Sequence, residues 1–272
     1  MKYTIIADSC CDLNSTDLTN DKISFFTVSI TLTLDEENYI DEEGFDTSSF
    51  IKKMKAAKAI RSACPSPEAF MQYMRDNDNI FIVTISSKLS GTNSSALIAT
   101  EQIKQEFPTK KIFVLDTLSA SAGLAHILYK LQELVSDDTL SFDEIAGKIT
   151  ETRDKTRVRF LLQDLSNLVK TGRIKKVVGA ILGITPVKII CGDDGAGEIK
   201  KFGAALGTKK GIIKLSEFVD TDSVTITHCY NEEDATLLKS LLEKIGIKNI
   251  KTILMRGTAS LFANEKGLVI AY

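Results

Sequence analysis

The chain has 272 residues, with 34 Lys and Arg against 36 Asp and Glu, and a formal charge of −2 at pH 7. That balance, with a pI near 5.9, argues against nucleic acid as the main partner, which would favour a basic face. A composition of 43% hydrophobic and 26% charged residues is that of an ordinary globular protein, and the length suits two lobes of roughly 120 to 150 residues.

In chain order, Met1-Lys-Tyr-Thr-Ile-Ile-Ala-Asp8 breaks after two isoleucines, which argues against a signal peptide. Tyr3 to Ala7 and Ile23 to Leu34 are expected as strands, and Phe45 to Ala57 as an amphipathic helix. Ile80 to Ile85 is an apolar run long enough for a buried parallel strand. From Asn93 to Glu106 the chain takes helical spacing through Ala96, Ala99 and Ile103. Lys111 to Leu115 predicts the next strand and Ala120 to Val135 the next helix. This alternation implies a parallel, Rossmann-like sheet with helices on both faces.

After a helix expected over Phe142 to Asp154 the rhythm changes. A strand at Val158 to Leu162 is followed by Ile184 to Cys191 and Gly197 to Phe202 flanking Gly192-Asp-Asp-Gly195, a hairpin signal. Thr208 to Phe218 and Glu232 to Ile245 read as helices; Val224 to His228, Lys251 to Leu254 and Leu268 to Tyr272 read as strands. The expected fold is therefore α/β and two-lobed. An N-terminal parallel-sheet lobe spans 1–154, and a C-terminal α+β lobe with a mixed sheet spans 155–272.

Chemistry concentrates between the 80–85 strand and the helix that follows. Ser86, Ser87, Ser90 and Thr92 surround Gly91, beyond a strand end where open α/β sheets hold ligands. Hydroxyls beside the unpaired N–H groups of a helix N-terminus suit a carboxylate or a phosphate. Asp8 and Asp116 end two other strands and are expected on the same rim. Arg173, leaving a turn at Gly172, is the cation that could meet the anion bidentately. Acid clusters such as Asp35-Glu36-Glu37 and Asp41-Glu42-Glu43 read as solvated charge. His126 reads as a packed helix residue and His228 as a strand-end residue. No nucleophile elbow, zinc motif, P-loop or dinucleotide fingerprint occurs, so neither a cofactor nor a metal is expected. Cys10, Cys11, Cys64, Cys191 and Cys229 form an odd set without C-x-x-C. Five free thiols in a cytoplasmic protein are expected, with Cys64 the ligand-sensitive one. Val177 to Ile190 is interrupted by Pro186 and Lys188 and is too short for a bilayer. The residues by themselves leave two classes open. One is a binding protein for a small anion. The other is a serine-dependent hydrolase, or another enzyme acting on a small carboxylate or phosphate ester, with Ser87 or Ser90 as nucleophile and His228 as base.

The chain resembles the DegV family from Tyr3 to Tyr272. The resemblance is carried by Asp8-Ser9 with Asp12-Leu13, by Ser62-Ala-Cys-Pro-Ser66 in place of T-S-x-P-S, and by Ser86-Ser-Lys-Leu-Ser-Gly-Thr92. Asp116-Thr-Leu-Ser-Ala-Ser-Ala-Gly123, Leu165 to Leu168 leading to Gly172-Arg173-Ile174, Ile184-Thr-Pro186 and Thr227-His228 continue it in order. The resemblance implies the two-lobed EDD fold and a non-catalytic, monomeric lipid transport protein. It would hold a long-chain fatty acid between its lobes and serve as acyl carrier for a fatty acid kinase, without membrane insertion. By position, Ser62 and Ser87 would hold the carboxylate, and Ser90, Gly91 and Thr92 would shape the loop. Arg173 would serve handover to the kinase, and apolar residues of 158–190 would line a tunnel. The chain departs from the family at Ser260 to Gly267, which lacks His, Pro and paired glycines, and at Gly207, where relatives carry Arg.

Overall fold

The computed structural model describes residues 2–174, 187–193 and 195–272. The first sheet is parallel and has four strands. β1 (Tyr3–Asp8) is central, flanked by β2 (Ile23–Val28) and β6 (Asn79–Thr84), with β7 (Lys111–Asp116) beyond β6. Residues of β1 and β6 are sorted by period two. Ile6, Ile80 and Ile82 pack against Phe70 and Met74 of α3 (Pro67–Met74) and Ala96, Ala99 and Ile103 of α4 (Thr92–Glu106). Ile5, Phe81 and Val83 face the opposite layer, where α5 (Ala122–Ser136) brings Leu124, Ile127 and Leu131 and α6 (Phe142–Lys155) brings Ile145 and Ile149. Each such Ile, Leu, Val, Phe or Met side chain, fully buried, contributes about 1.5–3 kcal/mol.

Local chemistry sets the helix starts. Asp46 accepts from Ser49 N to cap α2 (Thr47–Ala56), Ser66 with Pro67 opens α3, and Ser141 and Glu144 form a capping box on α6. Between Ser9 and Asn14 the chain makes a 3-10 turn and then α1 (Ser15–Leu18).

The expected single strand over 23–34 is two strands. The chain leaves the parallel sheet after Val28, and Ile30 N donates to Ser9 Oγ at 3.1 Å. It then enters a small antiparallel sheet of β4 (Glu37–Ile40), β3 (Thr31–Leu34) and β5 (Ile60–Ala63). β4 and β5 are four residues each and half polar, too short for a periodic signal. They matter because β5 carries Ser62, paired with Leu32.

The second sheet has six strands in the order β10 (Lys200–Leu206), β9 (Val187–Asp193), β8 (Val158–Leu161), β13 (Leu268–Ala271), β11 (Ser223–His228) and β12 (Asn249–Leu254); only β11 and β12 pair in parallel. Phe160 and Val269 face the layer containing α5, while Leu161, Leu268 and Ile270 face α8 (Thr208–Ser216) and α9 (Glu232–Lys244). The hairpin exists, yet Gly192 is a strand residue and not part of the turn. A Cβ there would lie 2.0 Å from Val158 O, so glycine permits the close pairing of β9 with β8. The expected strand residues 184–186 lie outside the described residues, as do 177–186 of the apolar stretch. Helix α7 (Ser166–Lys170) and α10 (Gly257–Ala263) complete the described helices. One buried cluster draws on both halves of the chain, from Tyr3 to Ala271, with α5 packed on β11 and β13.

Candidate functional site

Where the two sheets face one another, a cavity opens whose empty space, mouth included, is about 940 Å³. Its walls are mainly apolar, with Ile30, Ile85, Val158, Phe160, Leu162 and Met255 among the lining residues. Of the apolar stretch expected to line a tunnel, Val158, Phe160, Leu162 and Leu168 do so.

One end is polar. Ser62 on β5, Ser90 before α4 and Arg173 after α7 all line the cavity. Arg173 follows a turn in which Gly172 takes φ +77° and Arg173 N donates to Leu168 O at 2.9 Å. Its guanidinium donates from Nε to Leu89 O at 3.3 Å, from Nη1 to Thr171 O at 2.9 Å and from Nη2 to Ser62 Oγ at 3.5 Å. The Phe262 ring lies 5.3 Å from it. Half-burial pushes the Arg173 pKa below its ordinary value, though a guanidinium remains charged. Ser90 Oγ pairs with Thr92 Oγ1 at 2.8 Å and accepts from Thr92 N at 3.3 Å, which fixes the start of α4. Thr92 is fully buried and does not itself line the cavity. Gly91 is exposed; a Cβ there would stand 3.2 Å from Cys64 Sγ.

Ser87 is placed differently. It is exposed, its backbone N donates to Asp116 Oδ1 at 3.1 Å, and it does not line the cavity. The buried neighbour Ser86 instead crosses between the lobes, its Oγ donating to Gly197 O at 3.0 Å. Asp8 and Asp116 do end β1 and β7 on one rim. Asp8 is fully buried and accepts from Ile85 N at 2.6 Å and Cys10 N at 3.1 Å. Desolvation raises its pKa to about 7.

Beneath the cavity lies a buried polar cluster that periodicity did not reveal. Asp41, expected in solvent, is fully buried and accepts from Gly257 N at 3.0 Å, Thr258 N at 2.8 Å and Thr258 Oγ1 at 2.6 Å. Arg256 donates to Leu13 O and Asp41 O, and its backbone N donates to Asp12 Oδ1 at 2.8 Å. Buried Asp12 also accepts from Ser121 Oγ at 2.6 Å, and desolvation raises its pKa to about 8. A carboxylate one residue past a short, exposed strand has no sequence signature of burial; only the return of Gly257 and Thr258 explains it.

The histidines find their hydrogen-bond partners outside the hydroxyl loop. His126 is buried in α5 with Nδ1 3.2 Å from Thr225 Oγ1, and burial lowers its pKa to about 4. His228 Nδ1 accepts from Asn231 N at 3.2 Å, and the residue does not line the cavity. All five cysteines are free thiols; only Cys64 is exposed. No metal-holding group occurs among the described residues, and no described helix is long and apolar enough to cross a membrane.

The family model described as "Uncharacterised protein, DegV family" matches residues 2–268. A DegV domain-containing protein of Streptococcus pyogenes serotype M18 is 33% identical over 282 residues, covering 100% of this chain and 99% of the relative. The crystal structure of the Streptococcus pneumoniae fatty acid kinase (Fak) B3 protein loaded with linoleic acid is similar with a TM-score of 0.94 at 30% identity, covering 100% of this chain and 99% of that one. A DegV family protein from Eubacterium eligens loaded with heptadecanoic acid is similar with a TM-score of 0.92 at 27% identity, covering 99% and 98%. With a family model spanning nearly all of its residues, the chain belongs to the DegV family.

Proposed function

We propose that this protein binds a long-chain fatty acid and presents its head group to a fatty acid kinase, without catalysing a reaction itself. The observation that carries the reading is the polarity of the cavity. Two hydroxyls and a guanidinium gather at one end, and apolar side chains line most of the remainder. A carboxylate would sit on Ser62, Ser90 and Arg173, with Gly91 and Thr92 holding the loop at the N-terminus of α4. Burying ~15 methylenes supplies roughly 12 kcal/mol before the costs of ordering. The linoleic and heptadecanoic acids carried by the two similar structures support the same class of ligand.

In this reading the division falls near residue 154, with the N-terminal lobe supplying the hydroxyls and the C-terminal lobe most of the acyl wall. Arg173, at the mouth, orients the head group toward the kinase. The protein acts in the cytoplasm, where its ligand and the kinase's nucleotide meet. The hydrolase alternative is disfavoured, because Ser90 pairs with Thr92, His228 Nδ1 is engaged by Asn231, and neither Ser87 nor His228 lines the cavity. Denaturing extraction of the purified protein followed by mass spectrometry tests the reading. Stoichiometric long-chain fatty acid is expected; a protein that neither co-purifies with one nor takes one up would overturn it.

A further inference from the structure

Beyond Ser62 and Arg173, most polar side chains along the cavity are already committed. Ser121 Oγ donates to Asp12 Oδ2 and pairs with Thr227 Oγ1 at 2.7 Å. Thr258 Oγ1 donates to Asp41 Oδ2. Ser119 differs. It lines the cavity and is only 7% exposed, and its Oγ has no hydrogen-bond partner. Its backbone is tied on both sides: its carbonyl accepts from Ser86 N at 2.8 Å and its N donates to Thr117 Oγ1 at 3.3 Å. The residue is therefore fixed in place while its hydroxyl alone is uncommitted.

That hydroxyl lies over the bare Cα of Gly123, where a Cβ would come within 1.7 Å of it. Gly123 is in the first turn of α5, a helix of 15 residues whose N-cap, Ser121, makes no side-chain capping bond. The Gly123 amide donates to Ala120 O at 3.1 Å, so the group left unpaired at this point of the cavity wall, at the start of a long helix, is the Ser119 hydroxyl. Buried polar groups are ordinarily paired, and a helix N-terminus favours an acceptor. An unsubstituted acyl chain would leave the Ser119 hydroxyl unsatisfied. A second carboxylate is disfavoured, because Asp193 and Glu198 line the same cavity and like charges repel. The group that fits is a neutral oxygen.

Building on the fatty-acid reading above, we propose that Ser119 selects acyl chains bearing a hydroxyl or oxo group, turning about its Cα–Cβ bond to donate to that oxygen. The class of ligand is then an oxygenated long-chain fatty acid. Selectivity follows because a site with a hydrogen-bonding group discriminates against the analogue that leaves it unpaired.

The test compares binding of stearic acid with its positional hydroxy and oxo isomers, using the full chain. One position, or two adjacent ones, is expected to bind about 3- to 10-fold tighter than stearic acid, the worth of one net hydrogen bond. Ser119→Ala should bring that ratio back to about one. The isomer series needs only the parent protein, so it decides even where the variant folds poorly. Stearic acid binding at least as tightly as every isomer would overturn this inference alone. So would Ser119→Ala weakening substituted and unsubstituted chains by the same factor. Failure of every member to bind would overturn the fatty-acid reading itself, and this one with it.

Discussion

The Arg173 guanidinium reaches within 3.5 Å of the Ser62 hydroxyl although 111 residues separate them. One residue follows a turn in the second half of the chain and the other sits on a four-residue strand in the first. Both line the cavity, and among its described lining residues Arg173 alone carries a guanidinium.

Ser62→Ala should weaken fatty-acid binding about 10-fold or more, since a hydrogen bond to an ionised group contributes ~1.5–3 kcal/mol and 1.4 kcal/mol is one decade. Arg173→Lys should not restore the loss seen in Arg173→Ala, because an ammonium cannot span Leu89 O, Thr171 O and Ser62 Oγ at once. Ser87→Ala, outside the cavity lining, should change affinity less than about 2-fold by the same arithmetic. Equilibrium binding of one fatty acid to all four variants checks the ranking. A larger effect at Ser87 than at Ser62 would move the head group outward.

Gly197 takes φ +77°, and a Cβ there would lie 2.8 Å from Ser86 Oγ and 3.1 Å from Leu118 Cδ2. Gly197→Ala should therefore destabilise by about 1–3 kcal/mol through strain and displaced contacts. Ser86→Ala, which removes the donor to Gly197 O, should cost about 1 kcal/mol. Both should speed release of bound fatty acid, because Gly197 lines the cavity. Calorimetry and stopped-flow displacement measure the two effects. Unchanged melting for Gly197→Ala would contradict the close approach.

Stability should fall as pH rises toward 8. Buried Asp12 and Asp8 titrate near about 8 and about 7 in the fold, while the unfolded chain releases those protons near about 3.9. The native state thus holds more protons across that window, and its stability declines as pH increases. His126 works in the opposite sense between about 4 and 6.5, since burial keeps it neutral in the fold. The net fall should be steepest from about pH 6.5 to 7, where both aspartates hold protons only in the fold and His126 no longer offsets them, and should continue through Asp12 to about pH 8. Urea midpoints at several pH values test this. Asp12→Asn, which keeps an oxygen for Arg256 N, should flatten the profile, and an equally steep variant would remove Asp12 as its source.

Of the five thiols, one should react quickly with a disulfide reagent. Cys64 is exposed near Gly91 and Ser95, with Sγ 4.0 Å from Ser95 Oγ. Cys10, Cys11, Cys191 and Cys229 are buried, and desolvation raises each thiol's pKa, to about 12 for Cys191 and about 11 for Cys229. Thiolate is the reactive form, so these four should label only on unfolding. Bound fatty acid should slow Cys64, which is two residues from Ser62. Labelling indifferent to ligand would place the head group away from this loop.

Much of the architecture could be read from the sequence, because burial alternates with the period of each element. Ile80, Phe81, Ile82 and Val83 announce a strand covered on both faces, and Ala96, Ala99 and Ile103 a helix on one of them. The hydroxyl-rich segment from Ser86 to Thr92 was equally visible, since its residue types and its place after a strand are local properties. Which hydroxyl faces the cavity was not local. Ser86 turns to Gly197, Ser87 to solvent, Ser90 to the cavity and Ser119 to an unpaired position, and each outcome depends on a segment distant in the chain. Asp41 is the same lesson in a charge. Beside Glu42 and Glu43 it reads as solvated, yet the returning N–H groups of Gly257 and Thr258 replace water and allow it to be buried. Periodicity reports which face of an element meets the core; only the packed tertiary structure decides which partner a polar group finds there.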